Sequence, residues 1–150
     1  MMMPNNQIDL KIPAHVRCIA VSKKQSIEKI AWAISKGFTA FGENYCQEAL
    51  PKIHYFRAQH NCPRLEWHYI GRIQSNKTKF IAEYFDWAQT VSRFDTAKRL
   101  NQARSHFALP PLNICIQIND AQKPTQSGIT LKQLPELIKA LLECPHLKLR

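Results

Sequence analysis

Cys18-Ile19-Ala20-Val21-Ser22-Lys23 is an apolar, partly β-branched run that ends in a serine and a lysine, and a helix start signal at Ser26 follows it. It reads as a buried strand that delivers a lysine to its C-terminal end, where α/β folds assemble their chemistry. Side chains alternate along a strand, so Ile19, Val21 and Lys23 are expected to share one face, with the apolar pair holding the lysine in low dielectric. Burial disfavours an ammonium, and a nucleophilic amine must be neutral. Taken alone, the same pattern also suits a lysine that caps a strand in solvent.

Outward from this stretch, strand-like and helix-like segments alternate. Ile27, Ile30, Ala31 and Ile34 recur at helical spacing, with Ser26 as N-cap and Gly37 at the left-handed C-cap position. Phe38 to Phe41 reads as a second strand ending in Gly42-Glu43-Asn44. A helix follows, with Tyr45, Ala49, Ile53 and Phe56 on one face and Pro51 expected to interrupt it or start its second segment. Leu65 to Ile70 is a third strand closed by Gly71, then a short helix carries Phe80, Ile81 and Phe85. Trp87 to Val91 is a fourth strand, and Ser92 with Asp95 forms a capping-box signature for the next helix, to about Ala103. Leu112 to Ile118 is a fifth strand, and a polar loop leads to a helix bearing Leu134, Leu137, Ile138 and Leu141. Leu147 to Arg150 looks like a sixth strand as it starts, and Met1 to Pro13 like a loose leader.

About five βα units in strict alternation predict an α/β fold with parallel strands and right-handed crossovers, either an open doubly wound sheet or part of a barrel. No GxGxxG follows the first strand, which disfavours dinucleotide binding. A closed eight-stranded barrel needs about 200 residues or more, so the 150 residues here would supply part of one, as a single incomplete domain over 1–150.

Composition sets further bounds. The chain is 45% hydrophobic and 21% charged, an ordinary globular balance. Its net charge of +10 permits attraction to anionic partners, but the basic residues are scattered. The densest groups are Lys23-Lys24 and Arg72 to Lys79, so nucleic acid is not the expected partner. Five cysteines without CxxC spacing argue against zinc. With no signal peptide and no membrane-spanning apolar stretch, the expected compartment is a reducing cytoplasm, away from membrane.

Polar groups end four of the strands: Ser22 and Lys23, Glu43 and Asn44, His68 with Gly71, and Gln117 with Asn119. Such convergence is what a site at the C-terminal face requires. Gln74-Ser75-Asn76-Lys77, before a helix, adds donors suited to a phosphate or to a capped surface loop.

Ile19-Ala20-Val21-Ser22-Lys23, Phe41-Gly42-Glu43-Asn44-Tyr45 with Gln47-Glu48, Glu66-Trp67-His68-Tyr69-Ile70-Gly71 with Gln74-Ser75-Asn76-Lys77, Ile116-Gln117-Ile118-Asn119 and Ser127-Gly128 together resemble the pyridoxal phosphate homeostasis protein family, in its order and spacing. The resemblance implies a partial (β/α) barrel of the alanine racemase N-terminal type. It implies pyridoxal 5′-phosphate held as a Schiff base on Lys23, with Asn44 and His68 as further cofactor-binding positions. It also implies a role in intracellular homeostasis of the cofactor, without established catalytic turnover, and cofactor-requiring apoenzymes as recipients. Some positions depart from the family pattern. Lys24, Gln25 and Ser26 stand where a second lysine and a proline are common, and Gln126 stands where a lysine commonly precedes Ser-Gly. The family's phosphate cup and pyridine-nitrogen partner come from its last three strands, to which no residue here is assignable. An open sheet would expose the apolar strand faces of Ile19, Val21, Ile114, Ile116 and Ile118, and self-association through its edges is expected. The competing readings are a barrel enzyme using Lys23 as a Schiff-base nucleophile with His68 as acid–base, and a basic nucleic-acid-binding module using Arg72 to Lys79.

Overall fold

Six parallel strands lie side by side in chain order in the computed structural model of the protein, which describes residues 12–120 and 125–150. The strands are β1 (Ala20–Val21), β2 (Ala40–Glu43), β3 (Glu66–Tyr69), β4 (Trp87–Val91), β5 (Leu112–Ile116) and β6 (Leu147–Leu149). The helices between them are α1 (Ile27–Ser35), α2 (Cys46–Arg57), α3 (Thr78–Tyr84), α4 (Phe94–His106) and α5 (Leu134–Leu141). The strand order distinguishes the two architectures that alternation left open. A doubly wound sheet reverses its order at a switch point, whereas here each strand pairs with the next in one direction from β1 to β6. Right-handed crossovers then put every helix on the same face, which is how the wall of a (β/α) barrel is built. Most of the expected leader, and 121–124 of the polar loop, lie outside the described residues.

Strand alternation sorts the side chains. Phe41, Trp67, Tyr69, Ala88, Leu112 and Ile114 face the helices and are at most 3% exposed; they pack with Ile53 and Phe56 of α2, Ile81 of α3 and Leu100 of α4. The opposite, inner face carries Val21, Gly42, His68, Trp87 and Asn113 at paired positions. Ile114 is thus covered by helices, Ile116 beside buried Val91 packs against the same core, and neither is among the open-face residues, a correction that follows from the register. The inner face is mixed: Ile19 and Ile70 pack over Gly42, His68 and Trp87 lie beside them, and Val21 is 53% exposed.

Local chemistry sets most boundaries. Ser26 caps α1 by accepting the Lys29 N–H, and Gly37 takes the positive φ of 91° that ends it. Pro51 lies inside α2 without breaking it. Three expectations are corrected. Ser92 does not cap α4: the backbone stays extended through Arg93 (φ −142°, ψ 135°), so the helix begins at Phe94 and no capping-box contact forms. Tyr45 is extended and 56% exposed, outside the apolar face of α2. β2 runs two residues later than Phe38 to Phe41, through Gly42 and Glu43.

Candidate functional site

The C-terminal end of β1 passes into a tight turn at Ser22 to Gln25. The Gln25 N–H returns to the Ser22 carbonyl at 3.0 Å, and Lys24 adopts a left-handed φ of 59°. Lys23 lies in this turn with its side chain exposed, and Val21 before it is exposed as well, so the expected low-dielectric setting is absent. Ser22, by contrast, is 3% exposed and points to the helix side. Its hydroxyl donates to Glu43 Oε1 at 2.7 Å.

Glu43, fully buried at the end of β2, also accepts from the Lys52 ammonium at 2.8 Å. Lys52 projects from α2 and donates further to the Ser22 carbonyl at 2.8 Å and to Glu48 Oε1 at 2.7 Å. The backbone N–H of Lys24 donates to that same Glu48 oxygen. Sequence reading found Glu43 but missed Lys52. The available signal was its position between Ala49, Ile53 and Phe56 on the buried face of an amphipathic helix, where a lysine requires a carboxylate partner.

Asn44 follows β2 directly. Its Oδ1 is buried and has no hydrogen-bond partner among the described residues. Its backbone is crossed closely by the exit of β3: a Cβ on Gly71 would lie 2.4 Å from the Asn44 carbonyl oxygen, so glycine is required there. The ends of β1, β2 and β3 are therefore packed together, with Lys23 and Asn44 on adjacent strand ends.

His68 is lower on the inner face, level with Gly42. It is 1% exposed and stacks on Trp87 with ring centroids 5.2 Å apart and planes 16° from parallel. The Gln89 amide nitrogen lies 2.9 Å from Nδ1; with that amide donating, the neutral ring carries its proton on Nε2. Among the described residues His68 Nε2 has no hydrogen-bond partner; it lies 3.6 Å from Glu66 Oε2, which is engaged by Arg17 at 2.5 Å and by Trp87 Nε1 at 3.1 Å. Burial pushes the His68 pKa down to about 4, against the raising influence of Glu66 and with help from Arg17. The ring is neutral at physiological pH.

This has a measurable consequence. Between pH 6.5 and about 4 the unfolded chain binds a proton at His68 that the native state refuses, so stability falls as pH falls through that window. At about 1.4 kcal/mol per pKa unit the loss is about 3 kcal/mol. Urea unfolding of the wild type and His68→Gln across this range should show the wild type losing about 3 kcal/mol more than the variant; parallel curves would refute the buried neutral ring.

Gln117 and Asn119 do not join this group. Gln117 lines a cavity of about 480 Å³ with Arg72, Ser75, Thr90 and Arg93 at the ends of β3 to β5, while Asn119 donates from Nδ2 to the Gln126 carbonyl at 3.1 Å. Among the described residues no group of three or more His, Cys, Asp or Glu could hold a metal, and no helix is long and apolar enough to cross a membrane.

Comparison with known proteins agrees with this architecture. The chain is 51% identical over 135 residues to the pyridoxal phosphate homeostasis protein of Pasteurella multocida, covering 90% of this chain and 57% of that protein. It is 46% identical over 138 residues to the protein of the same name from Escherichia coli, covering 92% and 58%. It thus spans less than two thirds of these curated relatives. The structure of PipY from Synechococcus elongatus with PLP bound superposes with a TM-score of 0.82 at 30% identity, over 93% of this chain and 63% of that one. Alanine racemase of Clostridium difficile shares the fold, with a TM-score of 0.69 at 12% identity, over 93% of this chain and 35% of that one. The family model described as alanine racemase, N-terminal domain, matches residues 6–150, and the chain belongs to that family.

Proposed function

We propose that this chain binds pyridoxal 5′-phosphate through Lys23 and serves intracellular homeostasis of that cofactor, without turnover of its own. The observation that carries the reading is the pairing of an exposed lysine amine at the end of β1 with a buried, unpartnered Asn44 Oδ1 at the end of adjacent β2. Likeness to a PLP-bound PipY structure at 30% identity supports it.

Lys23 Nζ, in its unprotonated form, would be the amine that holds the cofactor's aldehyde reversibly. Asn44 Oδ1 is an acceptor for a polar group of the bound cofactor. His68, fixed by Trp87 and Gln89, presents a neutral ring on the inner face and cannot supply a cationic contact near pH 7. When bound, the cofactor brings a reactive aldehyde, and the role that fits reversible capture is delivery to cofactor-requiring apoenzymes in the cytoplasm. Five free cysteines suit a reducing compartment.

The test is a visible spectrum on mixing with pyridoxal 5′-phosphate, then borohydride reduction and peptide mapping. A label at Lys23 supports the reading. Turnover of a carbonyl substrate without added cofactor would instead favour an enzyme, and salt-sensitive retention on nucleic acid a basic binding module.

The 150-residue polypeptide should also self-associate. Among the described residues β1 and β6 each pair on one side alone, leaving backbone donors and acceptors open on the other. Light scattering should report dimers or larger species at micromolar concentration; a monodisperse monomer would refute this.

A further inference from the structure

We infer that Lys52, with Glu43 and Glu48, is a positioning device for Lys23: it clamps the backbone on both sides of that residue and so fixes where its amine is presented. The inference rests on the reading of Lys23 as the attachment point. Lys52 is 6% exposed, and its ammonium donates to the Ser22 carbonyl, Glu43 Oε1 and Glu48 Oε1, which uses its three protons. The residue before Lys23 is therefore held twice, through its carbonyl by Lys52 and through its hydroxyl by Glu43. The residue after Lys23 is held by its N–H to Glu48, in a left-handed conformation that costs a lysine about 1 kcal/mol or more and persists where surroundings enforce it.

Glu48 and Lys52 stand four residues apart on α2, so one helix reaches both sides of the turn. Stability alone would not demand this arrangement, because a buried ion pair is often matched or bettered by apolar residues of similar volume. What apolar residues cannot do is bond the carbonyl of Ser22 and, through Glu48, the N–H of Lys24. An exposed, many-rotamer side chain such as Lys23 gains directional precision mainly from the backbone that carries it, and loss of such orientation weakens reactions between held groups.

The experiment compares wild type with Lys52→Met and with Glu48→Ala, which removes the acceptor for Lys24 N–H while leaving the Lys52–Glu43 pair. Two readouts are taken well below each melting temperature: hydrogen exchange at the Lys24 and Gln25 amides, and the dissociation constant and capture rate for pyridoxal 5′-phosphate. The expected result is exchange about tenfold faster or more at these amides, with Schiff-base formation at Lys23 weakened about tenfold. A folded variant with wild-type exchange, or with wild-type capture, overturns the inference, and a lowered melting temperature by itself does not support it. Should Lys52→Met fail to fold, Glu48→Ala decides alone. Wild type that forms no adduct at Lys23 would refute the cofactor reading separately; the exchange data would still judge the clamp, with unchanged protection overturning it.

Discussion

Lys23→Ala and Lys23→Arg should each abolish the borohydride-reducible adduct with pyridoxal 5′-phosphate at near-stoichiometric cofactor. Alanine removes the amine, and a guanidinium remains charged and forms no stable Schiff base under these conditions. The neighbouring lysines are poor substitutes. Lys24, the next residue in a left-handed turn, sends its side chain in a different direction from Lys23, and Lys52 is buried with its donors committed to Ser22, Glu43 and Glu48. Because Lys23 is exposed, either change should move the melting temperature little, which separates loss of capture from loss of fold. Absorbance, borohydride trapping and intact mass would check this. An adduct of unchanged yield in Lys23→Ala would refute the attachment point.

How far the sequence discloses this architecture depends on which interactions decide each element. Alternation of apolar runs with helical spacing yields the order β1 to β6, because burial of one face dominates both periods. It does not yield the strand neighbours: an open sheet and a barrel wall share the same alternation and differ in pairing, which is long-range. The end of β2 is obscured for a chemical reason. Gly42 and Glu43 look like turn residues, yet a Cβ at Gly42 would sit 2.8 Å from Ile70 Cδ1, and Glu43 tolerates full burial because Lys52 and Ser22 bond it. A carboxylate inside a strand becomes legible once its cation on a later helix is known. The same applies to His68. Alternation with Trp67 and Tyr69 places it on the inner face, but its neutral state depends on burial against Trp87 and Gln89, which the register of β3 with β4 brings alongside, and it holds against the pull of Glu66 two residues earlier on the same strand. Lys23, Asn44 and His68 are thus individually visible, while the buried groups that hold the lysine turn are not.

Arg104→Met should destabilise the chain by about 3–5 kcal/mol, the range expected when a buried, bonded charge is removed and its partners are left dry. Arg104 lies on the same face of α4 as Ala97 and Leu100 and is 6% exposed. Its guanidinium donates through Nε to the Pro110 carbonyl at 2.6 Å, and through Nη1 to those of Ala82 at 2.6 Å and Phe85 at 3.0 Å. One side chain therefore ties the end of α3 to the loop entering β5, at the end of the sheet opposite Lys23. Methionine fills similar space but leaves three carbonyls without those donors, and lysine replaces a planar fork by a single nitrogen that cannot reach all of them. For a chain of this length such a loss lowers the melting temperature by roughly 10 °C. The folded fraction of Arg104→Met should still capture cofactor at Lys23 as wild type does, since no atom of this cluster is near the turn. Thermal melts with capture measured at low temperature check both halves: an unchanged melt would deny the tether its structural weight, and lost capture in folded protein would mean that the two ends of the sheet are coupled.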